Sequence, residues 1–220
     1  MRTAKIASNL EIKPGKGSAF AYGDRGDQNM PRAHQCCLVV GPRGAGKTTA
    51  VVNMIERMPY DRIFAISPTV KSNKELLARL KINEVDVFPD PNDVSCLDMV
   101  VKAVNQERDD FERYHEEMRK YNKLMKAVNS ESPLFRLDEE AMLDFYKDGD
   151  FQKPKHKWGG MKPCMALLID DAIGSGIYTK GIKKLNSMVI LHRHQGQLKE
   201  GGALGISMFF LLQSYKAQAG

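Results

Sequence analysis

Gly41-Pro42-Arg43-Gly44-Ala45-Gly46-Lys47-Thr48-Thr49 places three glycines, a lysine and two threonines in nine consecutive positions. The spacing is G-x-x-x-x-G-K-[ST], and its natural setting is a strand that turns sharply into a helix. Both flanks have that character. Gln35-Cys36-Cys37-Leu38-Val39-Val40 is a short apolar, β-branched run, the pattern of a buried strand. Ala50, Val51, Met54, Ile55 and Met58 follow at helical spacing, and Pro59 stops them. Gly41, Gly44 and Gly46 permit backbone conformations and a close approach that a β-carbon would block. N–H groups freed in this way, at the positive end of a helix, surround an anion. All nine residues, Gly41 to Thr49, are therefore expected to line a nucleotide's phosphates. Lys47 would reach the β- and γ-phosphates, and the Thr48 hydroxyl would hold Mg²⁺.

The strand and helix flanking this stretch place the chain in the α/β class. Its 220 residues suit one domain with an insertion. With 42% hydrophobic residues it has enough apolar surface for a core. Lys and Arg number 33 against 27 Asp and Glu, an excess of +6 that mildly favours a polyanionic partner. The four cysteines, Cys36, Cys37, Cys96 and Cys164, form no C-x-x-C pair, so buried thiols in a reducing compartment are expected. Met1-Arg2-Thr3-Ala4-Lys5 leads into no apolar signal core. The longest apolar run, Ile206 to Leu212, is too short to cross a bilayer. The expectation is a soluble intracellular protein with no membrane partner.

Residues 1–33 read as a polar, glycine-rich arm with room for one short strand, and residues 34–220 as the domain. Arg62 to Ser67 is a second strand, stopped by Pro68; Asn73 to Leu80 is a short helix; Val85 to Phe88 is a short strand. From Leu97 to Val128 apolar residues fall at steps of three and four, interrupted only by Glu107. A single helix over that span would be about 48 Å long. Asp138 could cap a second helix ending at Gly149. Residues 97–148 thus read as a helical insertion. It is either an arm, with the second helix folded back on the first, or a packing helix within the domain. In 152–163, Lys153, Lys155, Lys157 and Lys162 surround Trp158, the only tryptophan. This is either a nucleic-acid surface or a solvated linker with Trp158 tucked onto the body.

Cys164 to Asp171 is an apolar strand that ends in two acids. Beside a phosphate loop, the first acid holds Mg²⁺ and the second serves the attacking water. Asp170 is thereby assigned to the metal with Thr48, and Asp171 to the water. The long interval between the loop and the acids leaves room for further strands, which favours the additional-strand division of P-loop NTPases. The expected fold is a mostly parallel sheet with helices on both faces. Thr179 to Leu191 reads as a helix and Ile206 to Leu212 as the last strand, with Gln213 at its tip. Gln213 is either a γ-phosphate sensor or a cap on the sheet. Arg193 is either a finger that completes a neighbouring subunit's site or a surface ion pair.

The combination of Gly41 to Thr49, Ile66-Ser67-Pro68-Thr69, Leu167 to Asp171, Arg193-His194 and Ile206 to Tyr215 resembles the genome-packaging ATPases of large double-stranded DNA viruses. More narrowly, it is similar to the poxvirus A32-like branch of the FtsK–HerA superfamily, over residues 35–215. The resemblance implies ATP rather than GTP, a homo-oligomeric ring, double-stranded DNA as cargo, and a viral capsid or vertex protein as partner. It also implies a place at the assembly site in the host cytoplasm or in the virion. More sequence would be expected after the last strand than the few residues to Gly220, and no nuclease carboxylate cluster is evident. Two other functions use the same residues: a helicase or remodelling ATPase, and a nucleotide-gated scaffold.

Overall fold

The computed structural model describes residues 27, 29–31, 33–69, 74–129 and 139–213. Most of the expected arm, the Asp138 cap, and Ser214 and Tyr215 lie outside the described residues. Five strands form one sheet: β1 (Cys36–Val40), β2 (Arg62–Ile66), β3 (Val87–Phe88), β6 (Met165–Asp170) and β7 (Ser207–Leu212). Their order is β1-β7-β6-β2-β3, and every pairing is parallel. Parallel strands need crossovers, and the helices supply them on both faces. The two central strands show the consequence in sequence. All six residues of β7 are buried, as are all of β6 except Asp170.

Side-chain alternation divides the core. On one face α1 (Lys47–Glu56) sets Val51, Val52 and Ile55 against Ala65, Ala166, Leu168, Phe209 and Leu211. On the other, α3 (Ser95–Val128) and α5 (Ile182–Ile190) cover Phe64, Leu167, Ile169, Met208 and Phe210. A short helix, α2 (Lys74–Leu80), lies beside α1, joined by Arg79 to Glu56 at 2.6 Å.

β1 departs from the expectation of a buried strand. Among the described residues it is an edge strand; Cys36 is exposed and Cys37 half-buried, and only Cys96 and Cys164 are the buried thiols expected. The apolar run was legible, but its position at the sheet's edge was not.

The 34-residue α3 settles the choice left open for the insertion differently along its length. Its first half is core: Leu97, Val100, Val104 and Phe111 are almost fully buried. The expectation of an arm from residue 97 is therefore corrected over that half. The second half packs against α4 (Glu139–Phe145), with Leu124 and Phe145 buried and the Tyr121 and Phe145 rings 5.6 Å apart. α4 stops at Phe145 rather than running to Gly149. Asp148 and Gly149, at φ 53° and 86°, turn the chain between β4 (Tyr146–Lys147) and β5 (Asp150–Phe151). Asp-Gly with both φ positive is the preferred tight hairpin turn, and it overrides the helix.

Glu107 broke the helical register in sequence, and the structure explains why. It is 1% exposed and accepts hydrogen bonds from Arg62 (2.8 Å), Lys157 (2.7 Å) and the Trp158 indole (2.8 Å). Arg62 also forks onto buried Asp86 at 2.6 and 2.9 Å. A charge this deep persists only when paired and hydrogen-bonded. Trp158 is therefore tucked onto the body, as one of the two readings had it. Lys157, itself exposed, is committed to Glu107 and Lys162 is 4% exposed, which leaves Lys153 and Lys155 as the other exposed lysines of that loop.

Candidate functional site at the carboxyl edge of the sheet

All five strands point the same way, so their carboxyl ends share one edge, where ligands of open α/β sheets bind. The chain leaves β1 at Gly41, whose N–H donates to the Leu212 carbonyl of β7 at 3.1 Å. The loop then bends through Pro42, its carbonyl accepting from Ala45 N–H at 3.2 Å. Gly44 and Gly46 sit at φ 79° and 77°, and no atom lies within 4 Å of a β-carbon built on either. Their need for glycine is thus conformational rather than steric. Gly46 starts α1, and no side chain caps it. The helix's first N–H groups are therefore left for another acceptor, in the field of the helix's positive end. Lys47 folds back over the loop, its Nζ donating to the carbonyls of Gly41 (2.8 Å) and Pro42 (3.0 Å).

Thr48 and Asp170 are 122 residues apart in sequence, yet Thr48 Oγ1 donates to Asp170 Oδ2 at 3.1 Å. Burial pushes the Asp170 carboxyl above its usual range, and the neighbouring Asp171 charge adds to this; the Thr48 hydrogen bond and Lys47 oppose it. A desolvated carboxylate beside a hydroxyl is a hard oxygen pair, and such pairs suit Mg²⁺ completed by water and phosphate oxygens. Among the described residues, no group of three or more His, Cys, Asp or Glu side chains is placed to hold a metal.

Asp171 adopts φ 55°, uncommon for a residue with a side chain. Its Oδ1 accepts from Gln213 Nε2 at 2.6 Å, so the tip of β7 meets the tip of β6. Lys47, Thr48, Asp170, Asp171 and Gln213 therefore gather at one edge. β7 lies between the loop's strand and the acids' strand, so one strand separates the two halves.

Arg193 is not among them. It is exposed in the turn His192–His194, whose His192 carbonyl accepts from Ile206 N–H (2.8 Å) and whose His192 ring bonds the His34 carbonyl (3.0 Å). His34 and Ile206 precede β1 and β7, so Arg193 sits at the amino edge. A five-residue strand, roughly 17 Å long, separates it from its own loop.

Ser67 and Thr69 follow directly on β2. β2 and β6 pair Ile66 with Ile169, so Ser67 continues alongside Asp170. Ser67 is 3% exposed, and its hydroxyl lies 3.1 Å from that of Thr69. A hydroxyl directly after an apolar strand was the available signal.

Among the described residues, no helix is long and apolar enough to cross a membrane. The sequence matches no protein-family model, and comparison with curated proteins finds no match. What is established is the class: an α/β protein with a five-stranded parallel sheet and helices on both faces.

Proposed function

We propose that this chain is an ATP-hydrolysing motor of the additional-strand P-loop type, which drives double-stranded DNA into a preformed viral capsid. The observation that carries the hydrolase part is the Thr48–Asp170 hydrogen bond at 3.1 Å. It joins a glycine loop and an acidic strand that sequence alone could only suppose to be neighbours. The single strand between them supports the additional-strand assignment. The motor, its DNA cargo, a homo-oligomeric ring and a capsid or vertex partner rest on the resemblance. So does a place at the host-cytoplasmic assembly site or in the virion.

In this reading the loop N–H groups from Gly44 to Thr48 grip the β- and γ-phosphates. Lys47 exchanges two carbonyl partners for phosphate oxygens. Thr48 and, through water, Asp170 would hold Mg²⁺, which would neutralise phosphate charge and polarise the bond to be broken. Asp171 orients the attacking water and accepts its proton; Gln213, bonded to Asp171, senses the γ-phosphate and positions that carboxylate. Arg193, at the opposite edge, serves a neighbouring subunit.

Steady-state ATP hydrolysis with and without duplex DNA tests the proposal. Lys47→Ala is expected to abolish turnover, and duplex DNA to stimulate the unaltered protein. Normal hydrolysis by Lys47→Ala would remove the site. Strand separation without any packaging activity would favour a helicase.

A further inference from the structure

Ser67 is a buried hydroxyl at the tip of β2, on the same face of the sheet as Asp170. Side-chain alternation places it there. Ile63 and Ala65 of β2 and Ala166 and Leu168 of β6 pack on the α1 side, while Phe64, Ile66, Leu167 and Ile169 pack on the other. The Ser67 N–H donates to the Phe88 carbonyl of β3 at 3.1 Å, so the ladder runs one residue past the end of β2. One further step of the two-residue period turns Ser67 and Asp170 to the α1 side together. The Asp170 contact with Thr48 of α1 agrees with that. Ile66 pairs with Ile169, so Ser67 and Asp170 stand in the next row, on adjacent strands about 4.8 Å apart. β2 flanks β6 on the side away from β7. Gln213, at the tip of β7, thus approaches the two acids from one side and Ser67 from the other.

A serine hydroxyl has one hydrogen to donate and two lone pairs. One lone pair of Ser67 takes the Thr69 N–H at 3.3 Å, and a second position is shared with the Thr69 hydroxyl at 3.1 Å. The third has no direct partner among the described residues, and the Asp170 oxygen that is bonded, Oδ2, faces Thr48. Leaving a buried polar position unmade costs about 1–3 kcal/mol. A water shared with the neighbouring carboxylate would fill it at little entropic cost. Mg²⁺ gives up its waters reluctantly and takes only one or two oxygens from the protein. The side chains that hold those waters therefore help to set how tightly it binds.

We propose that Ser67 is a positioning residue for Mg²⁺: its hydroxyl and the Asp170 carboxylate hold the same water of the ion's shell. This rests on the reading of Thr48 and Asp170 as the Mg²⁺ residues, and Ser67 acts only through that water. Equilibrium binding of ADP to the full chain, followed as Mg²⁺ is raised, tests it without turnover. Ser67→Ala should raise the Mg²⁺ concentration needed for half-maximal binding by about 10-fold or more, the cost of losing a group that holds a metal ligand in place. Saturating Mg²⁺ should then restore the ADP affinity of the unaltered protein. Ser67→Thr, which keeps a hydroxyl, should need no more Mg²⁺ than the unaltered protein. An unmoved requirement in Ser67→Ala, or an affinity loss that Mg²⁺ does not restore, would reduce Ser67 to the turn that ends β2. So would a Ser67→Thr requirement as high as that of Ser67→Ala. The two readings fail in different ways. ADP binding that survives Lys47→Ala, or that ignores Mg²⁺ in the unaltered protein, removes the nucleotide site and Ser67 with it, whereas the Ser67 outcomes leave that site standing.

Discussion

Gln213 and Asp171 are the residues whose pairing changes what each can do. A 2.6 Å hydrogen bond ties the amide at the tip of β7 to a carboxylate with left-handed backbone geometry. Gln213→Ala would leave Asp171 without that restraint and leave the phosphate loop untouched. We expect ATP to bind with unchanged affinity while kcat falls about 100-fold, the scale of a misplaced catalytic group. A parallel loss of affinity would make Gln213 a binding residue instead. His34 makes a second prediction at this scale. Burial first, then the positive charges of Lys162, His192 and Arg193, lower its pKa from 6.5 to about 4. His115 and His156 shift in the same direction, also chiefly through burial. The unfolded chain therefore takes up these protons before the folded one does. Stability is full above about pH 6.5 and falls as the pH drops toward 4. His34 has φ 63°, which Asn tolerates. In thermal melts across that window, His34→Asn should show a shallower decline in Tm; an unchanged slope would acquit His34.

α3 is the element whose role the structure changes most. Its periodicity was legible from Leu97 to Val128, but one face of it serves two surroundings. The first half is held in the core by apolar burial, the second by the turn of chain at Tyr121, Leu124 and Phe145. The two parts are bridged where Glu107 collects Arg62, Lys157 and Trp158 around one buried carboxylate. Glu107→Ala would take from Arg62 one of its two buried carboxylate partners, Asp86 remaining, and would remove the acceptor of the Trp158 indole N–H. We expect a loss of about 3–5 kcal/mol in urea unfolding, the range for breaking a buried pair from one side. A loss below about 1 kcal/mol, the range of a surface pair, would show that solvent reaches the network.

For the whole molecule, the candidate residues divide between two edges of the sheet. Lys47, Thr48, Asp170, Asp171 and Gln213 share the carboxyl edge, and Arg193 is exposed at the amino edge. No side-chain rotation brings Arg193 to its own loop, so a catalytic role requires a second subunit. In mixtures of unaltered and Arg193→Ala protein, the finger role predicts activity falling faster than the unaltered fraction, with ATP binding intact. Activity that falls in strict proportion to dilution would reduce Arg193 to a surface residue.

Local chemistry was enough to identify the strand, glycine turn and helix at 36–56, the acid-tipped strand ending at Asp170, and the buried strand ending at Leu212. Each is written in a short window, as periodicity or as glycine at positions that need positive φ. Strand order, by contrast, depends on which apolar faces meet across long stretches of chain. Only folding decided that β1 would be an edge strand among the described residues, with Cys36 and Leu38 exposed. Only folding made Glu107 the centre of a polar network rather than a flaw in a helix. It also decided that Thr48 would meet Asp170 while Arg193 would not. A residue's neighbours in sequence determine its backbone; the burial of surface far away along the chain determines its partners.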